Sequence, residues 1–219
     1  TINKKYRNIY CEWSTNEKVA LEFCAGVSFA GKRSLVTMKH VGLNVAIDSL
    51  MAVSYTGVGA GIVVVTCDDP GMYSSQNEQD NRHYAELTKI PMLEPSDSQE
   101  VKDFTILGFE ISEKFDTPVL LRLTTRICHT KSVVKLDHPI FVRKKKFRID
   151  PQKYVLIPTF AKKRHKIIEE RLKKLKEFSE KTKINKIEKG SQKVGIITSS
   201  ISYQYAKEIF PEAPFLKLG

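Results

Sequence analysis

The chain is short of several things that would have placed it at once. None of its apolar runs approaches the ~18 residues a bilayer-crossing helix needs, and its first residues, "TINKKYRNIYCEW", have neither the apolar stretch nor the small-residue cleavage site of a secretory leader. Four cysteines, at 11, 24, 67 and 128, form no C-x-x-C pair and have no histidine at a zinc-like spacing, which excludes the common cluster and zinc motifs and reads as reduced thiols of a cytosolic protein. The glycines make neither G-x-G-x-x-G nor G-x-x-x-x-G-K-[ST], so a nucleotide phosphate loop of either kind is unsupported. No Ser/His/Asp arrangement can be assigned either.

What is present is a 219-residue chain, 41% hydrophobic and 28% charged, with the balance of a soluble globular protein. Its net charge of +11 is local. Residues 143–193 hold 19 Lys/Arg against 6 Asp/Glu, and the rest holds 17 against 19. A near-neutral domain therefore carries a basic appendage. A solvated lysine-rich helix is the ordinary reading of such a stretch, and docking on an acidic partner or nucleic acid is the alternative.

Apolar runs and helical patterns alternate from 9 to 125. "NIYCEW" (8–13) reads as a strand, and 15–30 as a helix with Val19, Leu21, Phe23 and Val27 inward. "SLVTM" (34–38) is the next strand, 43–57 a buried helix stopped by Gly57, and "AGIVVVTC" (60–67) the continuous apolar run of a central parallel strand. A short helix over 80–88, a strand "IPML" (90–93), a helix from Ser96 and a strand "PVLLRLTT" (118–125) follow. The fold class expected is α/β, a mostly parallel sheet with helices on both faces. After an irregular stretch, 160–181 has Ile168, Leu172, Leu175 and Phe178 on one amphipathic stripe. From 193 a strand, a helix and a strand begin a second α/β unit.

Parallel sheets bind ligands at the carboxyl ends of their strands. That singles out "EWSTNE", "TMKHVGLN", "TCDDPGMYSSQNEQDN" and "TTRICHTKS", each following a strand. Within the first, Ser14 and Glu17 stand in the S-x-x-E relation of a capping box, and by spacing alone Glu17 reads as a cap; Ser96 and Gln99 form a second such pair. His40 alone reads as a hydrogen-bonded histidine, "DDPG" as a turn, and Arg126 and His129 either bind an anion or face solvent.

The strings "EWSTNEKVALE", "LVTMKHVGLNVAIDSLM", "DDPGMYSSQNEQDNRHYA", "PMLEPSD", "TTRICHTKS" and "KVGIITSSISYQYAKE", in this order, resemble the α subunits of indolepyruvate:ferredoxin oxidoreductases over nearly the whole chain. The resemblance implies a thiamine diphosphate pyrimidine-binding domain over 1–130, a linker with a basic amphipathic helix over 131–192, and the start of a transketolase C-terminal-like domain over 193–219. It also implies that a strand, a helix and a "GYPGTPS"-like loop precede Thr1. By the same resemblance the Mg2+-binding and [4Fe–4S] segments lie beyond these residues, and this piece alone is inactive.

It makes Glu17 the catalytic and cofactor-binding carboxyl group, sharing a proton with N1′ of the aminopyrimidine. His40 is implied as a second catalytic residue, with Val41 and Gly42 beside the pyrimidine. Asp68 stands where pyruvate-specific members carry an arginine for the substrate carboxylate, so the carboxylate-binding group is open. Met72 and Tyr73 are implied as pocket walls, and Asn77, Gln79 and Asp80 as interdomain docking residues; no metal ligand is expected. The implied activity oxidises arylpyruvates to acyl-coenzyme A, with electrons passed to ferredoxin and a β subunit as partner, in the cytoplasm; neither membrane nor nucleic acid is expected. The alternatives are an interaction module acting through the basic helix 160–189, or an enzyme for smaller 2-oxoacids.

Overall fold

A computed structural model describes residues 6, 9–142 and 144–219. Its core is a four-stranded sheet, β1 (Ser34–Lys39), β2 (Ile62–Asp68), β3 (Met92–Leu93) and β4 (Val119–Thr124), in the order β1-β2-β4-β3 and parallel throughout. Alternate residues of β2 serve two cores. Ile62 and Val64 pack with Leu120 against helix α1 (Glu17–Phe29), helix α2 (His40–Thr56) and helix α3 (Arg82–Thr88). Val63 and Val65 pack with Val119 and Leu121 against α4 (Ser98–Phe115) and the short α5 (Thr125–His129). Helices on both faces explain why β2 is an unbroken apolar run.

After the single turn α6 (Pro151–Tyr154), the basic segment forms α7 (Pro158–Lys181). Its buried stripe is Arg164, Ile168 and Arg171, with Leu175 and Phe178 reaching the second core. Two of the buried side chains are thus arginines, and each caps another helix. Arg164 donates to the carbonyls of Tyr55 and Thr56, and Arg171 to those of Ser54 and Asp116. Those carbonyls end α2 and α4, where helix dipoles present partial negative charge. A second sheet pairs β7 (Phe215–Leu218) with β6 (Ile196–Ser199) in parallel and with β5 (Lys186–Glu188) antiparallel; α8 (Ser200–Ile209) links β6 to β7. Lys217 of β7 is buried and ion-paired with Glu100 at the start of α4, which ties this unit to the first. No helix among the described residues is long and apolar enough to cross a membrane.

Several sequence expectations are corrected. "NIYCEW" is not a strand over its described part: residues 9–13 are exposed, Trp13 fully so, and no ladder partner lies beside them; Asn8 lies outside the described residues. In α1 the inward positions are Leu21, Cys24, Ala25 and Ser28. Small side chains let α1 approach closely, while Val19 and Phe23 face out and Phe23 packs on Tyr10. Both capping boxes shift: Asn16 caps α1 through Val19 N–H (2.9 Å), and Asp97 caps α4 through Glu100 N–H (2.8 Å). Strand β5 carries no apolar run that would announce it.

Candidate active site

The carboxyl ends of β1, β2 and β4 open onto one edge of the sheet, and the expected site residues divide among them. At β1, the helix-start geometry settles the position of Glu17. Because Asn16 caps α1, Glu17 is the first helical residue and its side chain is not spent on its own backbone. It lies over Gly42 of α2: a Cβ on residue 42 would sit 2.6 Å from Glu17 Cγ and 2.7 Å from Oε1. Only glycine accommodates the carboxyl group there. His40, Val41 and Gly42 form the first turn of α2 rather than a loop, and no side chain caps that turn.

His40 is completely buried. Its Nδ1 lies 3.3 Å from the carbonyl oxygen of Cys67 and its Nε2 3.2 Å from that of Asn77. The ring thus bridges the end of β2 to the loop 69–81, and both nitrogens face backbone.

That loop is pinned at its start. Asp69, buried, accepts from Ser74 N–H (2.8 Å), Ser75 Oγ (2.6 Å) and Thr125 Oγ1 (2.6 Å). The hydroxyls of Ser75 and Thr125, with the Ser74 N–H, hold its carboxyl group well below the usual carboxylate range. Gly71 and Met72 both take positive φ, which turns the chain outward. Met72 and Tyr73 are exposed, and Tyr73 accepts a hydrogen bond from Arg126 Nη2 at 3.1 Å. Asn77 and Gln79 bond to each other.

Asp68 closes β2 inside a cluster of charged side chains. It is buried, with Oδ2 accepting from Arg122 Nε (2.6 Å) and Asn81 N–H (3.1 Å). Arg122 also pairs with Glu94 and lies 3.7 Å from Asp80. Asp80 is bound bidentately by Arg82, whose hydrogen bonds hold its carboxyl group down at about 2. Arg122 thus faces three carboxylates, while Asp68 Oδ1 is buried without a hydrogen-bond partner among the described residues.

Glu17 and Gly42 are therefore brought together, as are His40 and Asn77, and Asp68 and Asp80 through Arg122. Met72 and Tyr73 sit apart from Glu17, toward β4. The sequence reading missed Arg122, Glu94 and Asp69. The signal was available for one of them: an arginine inside the buried run "PVLLRLTT" requires an acidic partner, and "DD" closes the neighbouring strand.

Residues 4–194 match the family model described as "Pyruvate flavodoxin/ferredoxin oxidoreductase, thiamine diP-bdg". Among curated relatives, indolepyruvate oxidoreductase subunit IorA of Methanothermobacter thermautotrophicus is 45% identical over 98% of this chain and 36% of its own length. The subunit of the same name from Pyrococcus abyssi is 49% identical over 91% of this chain and 32% of its own. The chain thus spans about a third of the length of these relatives. Among solved structures, the 2-oxoglutarate:ferredoxin oxidoreductase of Magnetococcus marinus, with 2-oxoglutarate, coenzyme A and succinyl-CoA bound, superposes with a TM-score of 0.69 at 14% identity, over 98% of this chain and 46% of that one. At that identity the likeness is one of fold.

Proposed function

Since the chain belongs to the pyruvate flavodoxin/ferredoxin oxidoreductase family of thiamine diphosphate-binding domains, we propose that it forms the aminopyrimidine-binding part of a cytoplasmic enzyme that oxidatively decarboxylates indolepyruvate and related arylpyruvates to acyl-coenzyme A, passing electrons to ferredoxin. In this reading residues 1–130 bind the pyrimidine, 131–192 link, and 193–219 begin a transketolase C-terminal-like domain. A β subunit completes the enzyme, and Mg2+ and the [4Fe–4S] clusters belong to other parts of it.

The observation that carries the reading is the Glu17 carboxyl group seated over Gly42 at the carboxyl edge of the sheet, with its helix capped by another residue. When bound, thiamine diphosphate supplies the carbon nucleophile and electron sink that a 2-oxoacid needs to lose carbon dioxide. Glu17 holds and returns one proton at ring atom N1′. Gly42 leaves the space in which that carboxyl group sits, and Val41, its neighbour in the first turn of α2, would help hold the ring. His40, sequestered between two carbonyls, acts by position: it fastens the loop 69–81 to the end of β2. Met72 and Tyr73 face outward as walls, and Asn77 and Gln79 are the docking residues whose side chains remain accessible.

Glu17→Gln in the complete complex tests the assignment. Arylpyruvate-dependent ferredoxin reduction is expected to drop by about 100-fold, the scale of one positioned acid/base group. Turnover equal to the unmodified enzyme removes it.

A further inference from the structure

The cleft between α5 and α8 shares Tyr73 with the pocket walls named above. We propose that it holds a flat ring bearing an anionic group. The cavity measures about 440 Å³, within the range usual for small-molecule sites. One wall carries the Arg126 guanidinium and the His129 ring, both from α5, and neither has a carboxylate partner among the described ion pairs. Arg126 is nevertheless held in place, its guanidinium 5.2 Å from the centre of the Tyr73 ring and one N–H on the Tyr73 hydroxyl. Its remaining N–H groups are left for an anion, and a planar guanidinium recognises carboxylate or phosphate oxygens in pairs.

The opposite wall is α8. Its N-cap Ser199 makes no side-chain cap bond, so the first-turn N–H groups retain their capacity for a negative charge. Tyr73, Tyr205 and Ile201 supply the apolar surface on which a ring can lie. A bare anion would leave these rings uncovered, and a neutral aromatic would leave the guanidinium unpaired; a ring with an acid group satisfies both.

Two ligands have this chemistry if the function proposed above holds: the arylpyruvate, through its carboxylate, and the adenosine-phosphate end of coenzyme A. The ligand class follows from the cleft, and only the choice of these two rests on that function. Isothermal titration of the complete protein with phenylpyruvate and, separately, with adenosine 3′,5′-bisphosphate distinguishes them. Arg126→Gln is expected to weaken one of the two at least tenfold while thiamine diphosphate affinity stays unchanged. Tyr205→Ala, at a half-exposed position, should weaken the same ligand. A loss confined to phenylpyruvate assigns the carboxylate, and a loss confined to the bisphosphate assigns the nucleotide. If neither compound binds, or if both variants keep both affinities within twofold, the proposal is overturned. Failure of the Glu17 assignment appears separately, as normal turnover of Glu17→Gln with these affinities untouched.

Discussion

At the scale of single residues, the contact between Glu17 and Gly42 ties a glycine to an acid across two helices. A methyl group at 42 has nowhere to go but into the carboxyl group, because the ideal Cβ falls 2.6–2.8 Å from Glu17 Cγ, Cδ and Oε1. Gly42→Ala is buried and helical and costs no backbone freedom; alanine is in fact the better helix former. The substitution should therefore leave thermal stability within about 1 kcal/mol while displacing Glu17, and ferredoxin reduction in the complete enzyme should fall by roughly 10-fold or more. An active Gly42→Ala enzyme would mean that the carboxyl group has room to spare. His40 offers the contrasting case. By position alone it reads as a hydrogen-bonded histidine, and its ring does lie between two backbone carbonyls; the catalytic role is what the family resemblance implies.

Among elements, α7 departs most from its appearance. Lysine abundance makes it read as a solvated helix, and its outer face is one; its inner face plants Arg164 and Arg171 on the last carbonyls of α2 and α4. Burial pushes the Arg171 guanidinium down to about 10 even beside Asp116, the mark of a charge kept out of water for the hydrogen bonds it makes. Arg171→Leu leaves two buried carbonyls unpaired and is expected to cost on the order of 2–4 kcal/mol, read as a lowered denaturant midpoint in urea unfolding; a midpoint unchanged would show that water satisfies those carbonyls equally well. Sequence pattern found the helix and its Ile168–Leu175–Phe178 stripe because apolar spacing is a local property. It could not find the arginines, since their partners lie between 48 and 117 residues away. The same limit explains the strands: β2 and β4 announce themselves by apolar runs buried on both faces and β1 by a run buried on one, whereas "NIYCEW" has a strand's composition and no strand pairs with it among the described residues. At the site, loop positions were readable from strand order, but the pairing of Asp68 with Arg122 depended on register between β2 and β4.

For the molecule as a whole, acid should be a sharper threat than the positive net charge suggests. Asp69, Asp80 and Glu113 all have carboxyl groups held below their ordinary values, by Ser75 and Thr125, by Arg82, and by Arg33 respectively. A depressed folded-state value gives stability that is complete above the unfolded value near 4 and drains away as pH falls through the folded one. The melting temperature should accordingly be flat from about pH 7 to 5 and drop steeply between about pH 4 and 2, with Asp80→Asn flattening part of that drop. A curve level down to pH 2 would contradict the geometry around these acids. One consequence of the packing belongs to mechanics. Helix α2 is gripped at its far end by Arg164 and Arg171 and bears Gly42 and His40 at its near end, so its 17 residues form a stiff strut about 25 Å long. The lysine-studded rod and the floor beneath Glu17 are thus the two ends of one rigid element.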